Sequence, residues 1–146
     1  MMVGASGGAK WLVLAGLDRA LIREVVPHFA SPVHLLGSSI GAWRFSCYAQ
    51  TDPMAALERF ERAYLTQTYS EKPDRDEITR VSRAILDDVL GPEGARQIVD
   101  HPVFRTHVMV NRARHLSASE HPVPLAAGTV QSTGAVTTLA PAASAF

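Results

Sequence analysis

One cysteine, Cys47, stands in 146 residues. A lone thiol excludes an internal disulfide and any zinc site built on several thiolates. An excess of either charge is also missing, since fourteen Lys and Arg balance fourteen Asp and Glu. Nucleic-acid binding needs a basic excess or a basic face, so that class of partner drops out. The densest basic stretch, Arg105 to Arg114, holds three arginines without interleaved aromatics and reads as a solvated strand edge. No run reaches the roughly 18 apolar residues that cross a bilayer as a helix. Trp11 to Leu17 is apolar and follows Lys10, the outline of a short signal peptide. It ends at Asp18-Arg19 without a small-residue cleavage site, so a buried helix is the expectation. No His-x-x-x-His, Glu-x-x-His or acidic loop occurs, and neither a metal nor a cofactor is expected.

What is present is an ordinary globular composition, 47% hydrophobic and 19% charged, on a chain long enough for one domain. The charge is unevenly spread. Every charged residue precedes Pro122, so 1–121 is expected to fold and 122–146 to be an uncharged, disordered tail. Within the first part the apolar residues Leu14, Leu17, Leu21, Ile22 and Val25 recur at helical spacing between Ala9 and Val26. That reading puts Asp18, Arg19, Arg23 and Glu24 on the outer side. Val33 to Leu36 reads as a short buried strand and Ile40 to Gln50 as a helix. Asp52-Pro53 opens another helix with Leu57, Phe60, Tyr64 and Thr68 on one face. Asp74, with Glu77 three residues on, has the form of a capping box for a helix to Leu90, whose inner face is Ile78, Val81, Ile85 and Val89. A short helix to Val99 and a strand or edge from His107 to Asn111 follow.

Two glycine-bearing turns carry the chemistry. Gly37-Ser38-Ser39-Ile40-Gly41 has the Gly-x-Ser-x-Gly form and lies between a predicted strand and a predicted helix. Such a turn forces the central serine into strained backbone angles and exposes its hydroxyl. The flanking glycines are needed because strand and helix leave no room for side chains. The other turn, Gly4 to Lys10, opens a helix and offers free backbone N–H groups to an anion. It is not a nucleotide P-loop, because Lys10 lies between Ala9 and Trp11 and no Gly-Lys-Ser/Thr occurs.

Together, from Val3 to Gln50, these elements resemble the N-terminal portion of the patatin-like phospholipase family of acyl hydrolases. The resemblance implies an α/β fold, here a fragment of a three-layer core. Parallel strands near Met1–Gly4 and Val33–Leu36 would be joined by a right-handed helical crossover, with a strand–Ser–helix nucleophile elbow. It implies Ser39 as the nucleophile, Gly37 and Gly41 as the elbow glycines, and the Gly7, Gly8 and Ala9 amides as the oxyanion hole. Lys10 falls on the family's basic position in that loop. The implied reaction is hydrolysis of a lipid or phospholipid ester by a Ser-Asp dyad, without metal or cofactor. The implied partner is a lipid or other acyl ester, and the implied location is cytoplasmic, with peripheral contact to a membrane surface. The family's aspartate lies in an Asp-Gly-Gly or Asp-Gly-Ala motif, and this sequence has no Asp-Gly pair. Asp87, Asp88 and Asp100 lie in helical or turn contexts that do not match. The expectation is a chain truncated before its base and inactive. Two alternatives stand beside it: an α/β-hydrolase with a Ser-His-Asp triad drawing on one of six histidines, and a non-catalytic remnant or interaction module.

Overall fold

The computed structural model describes residues 1–111 and, as backbone, 134–138. One sheet holds four strands in chain order: β1 (Met2–Gly4), β2 (Val33–Ser38), β3 (Phe104–Asn111) and β4 (Gly134–Thr138). The first three run parallel, with Gly4 beside Gly37 and Leu35 beside Thr106, while β4 lies antiparallel to β3. The expected α/β class with parallel neighbours at β1 and β2 is therefore present. β4 falls inside the stretch expected to be a structureless tail. Ladder hydrogen bonds use backbone groups alone, and Val136, Thr137 and Thr138 are β-branched residues suited to a strand. Residues 112–133, with Arg112, Arg114, His115 and His121, and residues 139–146 lie outside the described residues.

Among the described residues, five α-helices lie between the strands: α1 (Ala15–Ala20), α2 (Ile40–Tyr48), α3 (Pro53–Thr66), α4 (Arg75–Leu90) and α5 (Gly94–Val99). The Asp52 side chain accepts from the Ala55 amide and Asp74 from the Glu77 amide, so both expected N-caps are made. The second half of the expected capping box is not made. The Glu77 carboxylate instead accepts from the Ser70 amide and hydroxyl, and these bonds hold its pKa below the usual carboxylate value. Ile85 and Val89 are buried as expected of α4, whereas Ile78 stays exposed near its start.

The segment before β2 departs most from its expected pattern. It winds as a 3-10 helix (Gly8–Leu14), then α1, then a π turn (Leu21–Val25), so its phase drifts from 3.6 residues per turn. Its buried residues are Trp11, Ala15, Asp18 and Ile22. Asp18, expected outside, is fully buried, while Leu14, Leu17 and Val25, expected inside, are exposed. Trp11 anchors the segment by stacking on Phe60 of α3 at a centroid distance of 4.5 Å.

Strand alternation gives the sheet two unlike faces. Leu35, Phe104 and Thr106 point to the helices and are buried. On the other face stand Val3, His34, Leu36, Ser38, Arg105, His107 and Met109, with Val3 66% and Met109 44% exposed. Parallel sheets are ordinarily covered on both faces. The described residues build two layers, one of helices and one of strands, and not the three of the expected core.

Candidate active site

β2 ends at Ser38 and α2 begins at Ile40, so Ser39 alone makes the turn between them. It does so at φ 51° and ψ −124°, the single positive φ of any non-glycine residue among those described. Such a conformation costs a side-chain-bearing residue about 1–3 kcal/mol and persists only where the surroundings enforce it. The surroundings here are backbone. A Cβ on Gly37 would fall 2.4 Å from the Ala42 Cα, and one on Gly41 would fall 2.2 Å from the Gly4 carbonyl oxygen. Even Gly4 has little room, since its Cβ would meet Phe45 at 2.8 Å. Strand β1 and helix α2 thus approach through bare glycine surfaces, and the serine turn is clamped between them.

Ser39 occupies the N-cap position of α2, where a serine hydroxyl commonly accepts from a helical amide. Here it makes no such bond. The Ala42 and Trp43 amides go to the Ser39 carbonyl at 2.9 and 3.3 Å, and the exposed hydroxyl is left to solvent. The first amides of α2 lie beside it, at the helix end that favours negative charge.

The other turn leaves β1 at Gly4, and through the Gly4–Gly37 register it emerges beside the serine turn at the same end of the sheet. Gly7 is extended, Gly8 has φ 52°, and the Lys10 amide bonds to the Gly7 carbonyl at 3.2 Å. Gly7, Gly8, Ala9 and Lys10 are all exposed. One side-chain bond ties the two turns together, Ser6 Oγ to Ser38 Oγ at 2.9 Å. The structure therefore brings Ser39, Gly37, Gly41, Gly7, Gly8, Ala9 and Lys10 to one sheet end.

Among the described residues, no carboxylate or imidazole hydrogen-bonds the Ser39 hydroxyl. Asp88 faces Arg62 at 3.5 Å and Asp100 faces Arg96 at 3.8 Å. His101 Nδ1 accepts from the Val103 and Phe104 amides; burial, then the Arg105 charge, hold its pKa below the usual imidazole value. His34 and His107 hydrogen-bond each other on the sheet face opposite the helices. Cys47 is no rival nucleophile, because burial pushes its thiol up to about 12.

One polar group beneath the site was not foreseen. Asp18 accepts from Arg44 Nε at 2.8 Å, from a second Arg44 nitrogen, and from the Tyr48 hydroxyl at 2.7 Å. Burial opposes the charge on Arg44 most strongly, but the Asp18 bond and charge outweigh it and raise its pKa. Burial, and next the bond to Asp18, push the Tyr48 hydroxyl well above its ordinary value. The trio bolts α1 to α2, the helix that carries the serine turn. Two signals were available: Asp18 falls on the Trp11–Ala15–Ile22 stripe, and Arg44 and Tyr48 are one helical turn apart.

No family model, curated protein or solved structure matches this chain.

Proposed function

We propose that this chain carries the nucleophile and oxyanion elements of a serine acyl hydrolase that acts on lipid or similar acyl esters, like the patatin-like enzymes it resembles. The observation that carries the reading is Ser39: a non-glycine residue at positive φ, between strand and helix, with its hydroxyl exposed and not used as a cap. A structural serine in a turn gains nothing from that strain, whereas a nucleophile gains access. In this reading Ser39 Oγ adds to the ester carbonyl and gives up its proton to a base. The carbonyl oxygen becomes an oxyanion, held by amides of the Gly7–Ala9 loop and the start of α2. The tetrahedral species then expels the alcohol, and water releases the acyl group from Ser39. Gly37 and Gly41 act by letting the turn exist, and Lys10 adds positive charge at the mouth.

An apolar substrate suits the neighbourhood. Directly after Lys10, Val13 is 83% and Leu17 is 53% exposed. Such residues fit acyl chains or the surface of a lipid aggregate, which is the basis for proposing peripheral membrane contact. No helix among the described residues is long and apolar enough to cross a membrane.

Among the described residues, no side chain is placed as a base at Ser39. General-base assistance is worth roughly 10²–10⁴-fold, so p-nitrophenyl ester turnover by the 146-residue chain should lie near background. The test is prolonged incubation with a fluorophosphonate followed by peptide mass spectrometry. A slow adduct confined to Ser39 and lost in Ser39→Ala is the expected result. Equal labelling of wild type and Ser39→Ala would remove Ser39 as the nucleophile.

A further inference from the structure

The strands bring together two histidines that stand far apart in the sequence. His34 of β2 and His107 of β3 lie on the sheet face opposite the helices, offset by two register positions, since His34 pairs with Arg105 and Leu36 with His107. His34 Nδ1 and His107 Nε2 are 2.7 Å apart, with ring centroids at 5.0 Å and planes within 24°. This is an edge-to-edge arrangement in which two nitrogens aim at one point and share one proton. We propose that this pair is a binding site for a borderline divalent transition cation such as zinc, which takes the place of the shared proton and staples β2 to β3.

The chemistry favours imidazole-preferring cations. Two neutral ring nitrogens suit zinc, copper or nickel far better than the oxygen-seeking magnesium or calcium. Zinc–nitrogen bonds of about 2.0–2.1 Å in tetrahedral geometry set the two nitrogens roughly 3.3 Å apart. Small ring rotations supply the difference, and the hydrogen between the rings moves to the other nitrogen of its own imidazole. The backbone ladder holds both Cα positions, so little ordering is left for binding to impose. Among the described residues no third His, Cys, Asp or Glu joins the pair. Arg105 pairs with His34 in the register, and its guanidinium is engaged by the carbonyls of His101 and Phe104 at 2.7 and 2.9 Å. The site is separate from Ser39, which lies past the far end of β2.

The test uses the full chain and zinc chloride alone. A cation that binds only the paired strands raises the melting temperature. The expected result is a zinc-dependent rise in wild type that disappears in His34→Gln and in His107→Gln but survives in a His115→Ala/His121→Ala double variant. Imidazole ¹⁵N spectra of wild type give a readout that needs no variant: zinc should shift His34 Nδ1 and His107 Nε2 together at one equivalent. An unchanged pair of resonances, or a melting rise that persists when both His34 and His107 are replaced, would overturn the proposal. So would a rise lost on replacing His115 and His121 alone.

Discussion

A methyl group at Gly41 would lie 2.2 Å from the Gly4 carbonyl oxygen, whereas one at Gly8 would meet nothing within 4 Å. Both glycines belong to turns at the same end of the sheet, and both turns are assigned to one site. At Gly37 and Gly41 the glycine is there for what lies against it, because strand and helix backbones meet with no space between them. At Gly8 it is there for its own dihedral, φ 52°, in an otherwise open loop. Gly7 needs neither, since it is extended and its Cβ would meet only Lys10, at 3.9 Å. The packed turn holds a serine in strain, and the open one presents amides to solvent. One is a clamp and the other a cradle.

Substitution can break this contrast most sharply at the clamp. Gly41→Ala should abolish cooperative unfolding altogether, a loss above about 4 kcal/mol, because the opposing atoms are backbone and have nowhere to go. Circular dichroism and urea titration would read it, and near-wild-type stability would contradict the close approach. The bolt under α2 comes next. Asp18→Ala leaves the Arg44 charge buried without its partner and should cost about 3–5 kcal/mol. Arg44→Met combined with Asp18→Leu should recover most of that loss, and failure to recover would point to Tyr48 as the greater debtor.

Ser39 itself sharpens the comparison. Ser39→Gly removes the strain of positive φ and should raise stability by about 1–3 kcal/mol, while Ser39→Ala keeps the strain and should leave stability nearly unchanged. Both should lose fluorophosphonate labelling. Equal melting temperatures for the two variants would mean that the turn is not strained. The smallest effects belong to the cradle: Gly8→Ala should cost about 1 kcal/mol for its left-handed φ. Gly7→Ala should be close to neutral in urea titration.

The same contrast explains what is legible in the sequence. Glycines flanking a serine, after Val33–Leu36 and before a helical pattern, announce a tight turn because few other sequences satisfy that geometry. Asp52-Pro53 and Asp74 likewise announce helix starts, and both caps are made. Periodicity places Asp18 outside because it treats a carboxylate as outward-facing, and its partners Arg44 and Tyr48 come from another helix. The 3-10 and π turns around α1 shift the apolar phase, so Leu14 and Leu17, which a regular helical period places inside, are exposed. β4 was missed because a ladder can recruit a stretch with no alternation of its own. The meeting of His34 with His107 depends on strand register, which no local pattern contains.

The meeting of Gly41 with Gly4 also sets a lifetime. The serine turn owes its angle to β1, and β1 is an edge strand of three residues, the kind of element that opens locally well before the whole fold does. Each time β1 frays, the wall against Gly41 withdraws and Ser39 is released to an ordinary backbone conformation. The strained form therefore endures only as long as each docking of the N-terminal strand. Amide exchange at Val3 and Gly4 measures that interval, and with it the fraction of molecules in which Ser39 is poised.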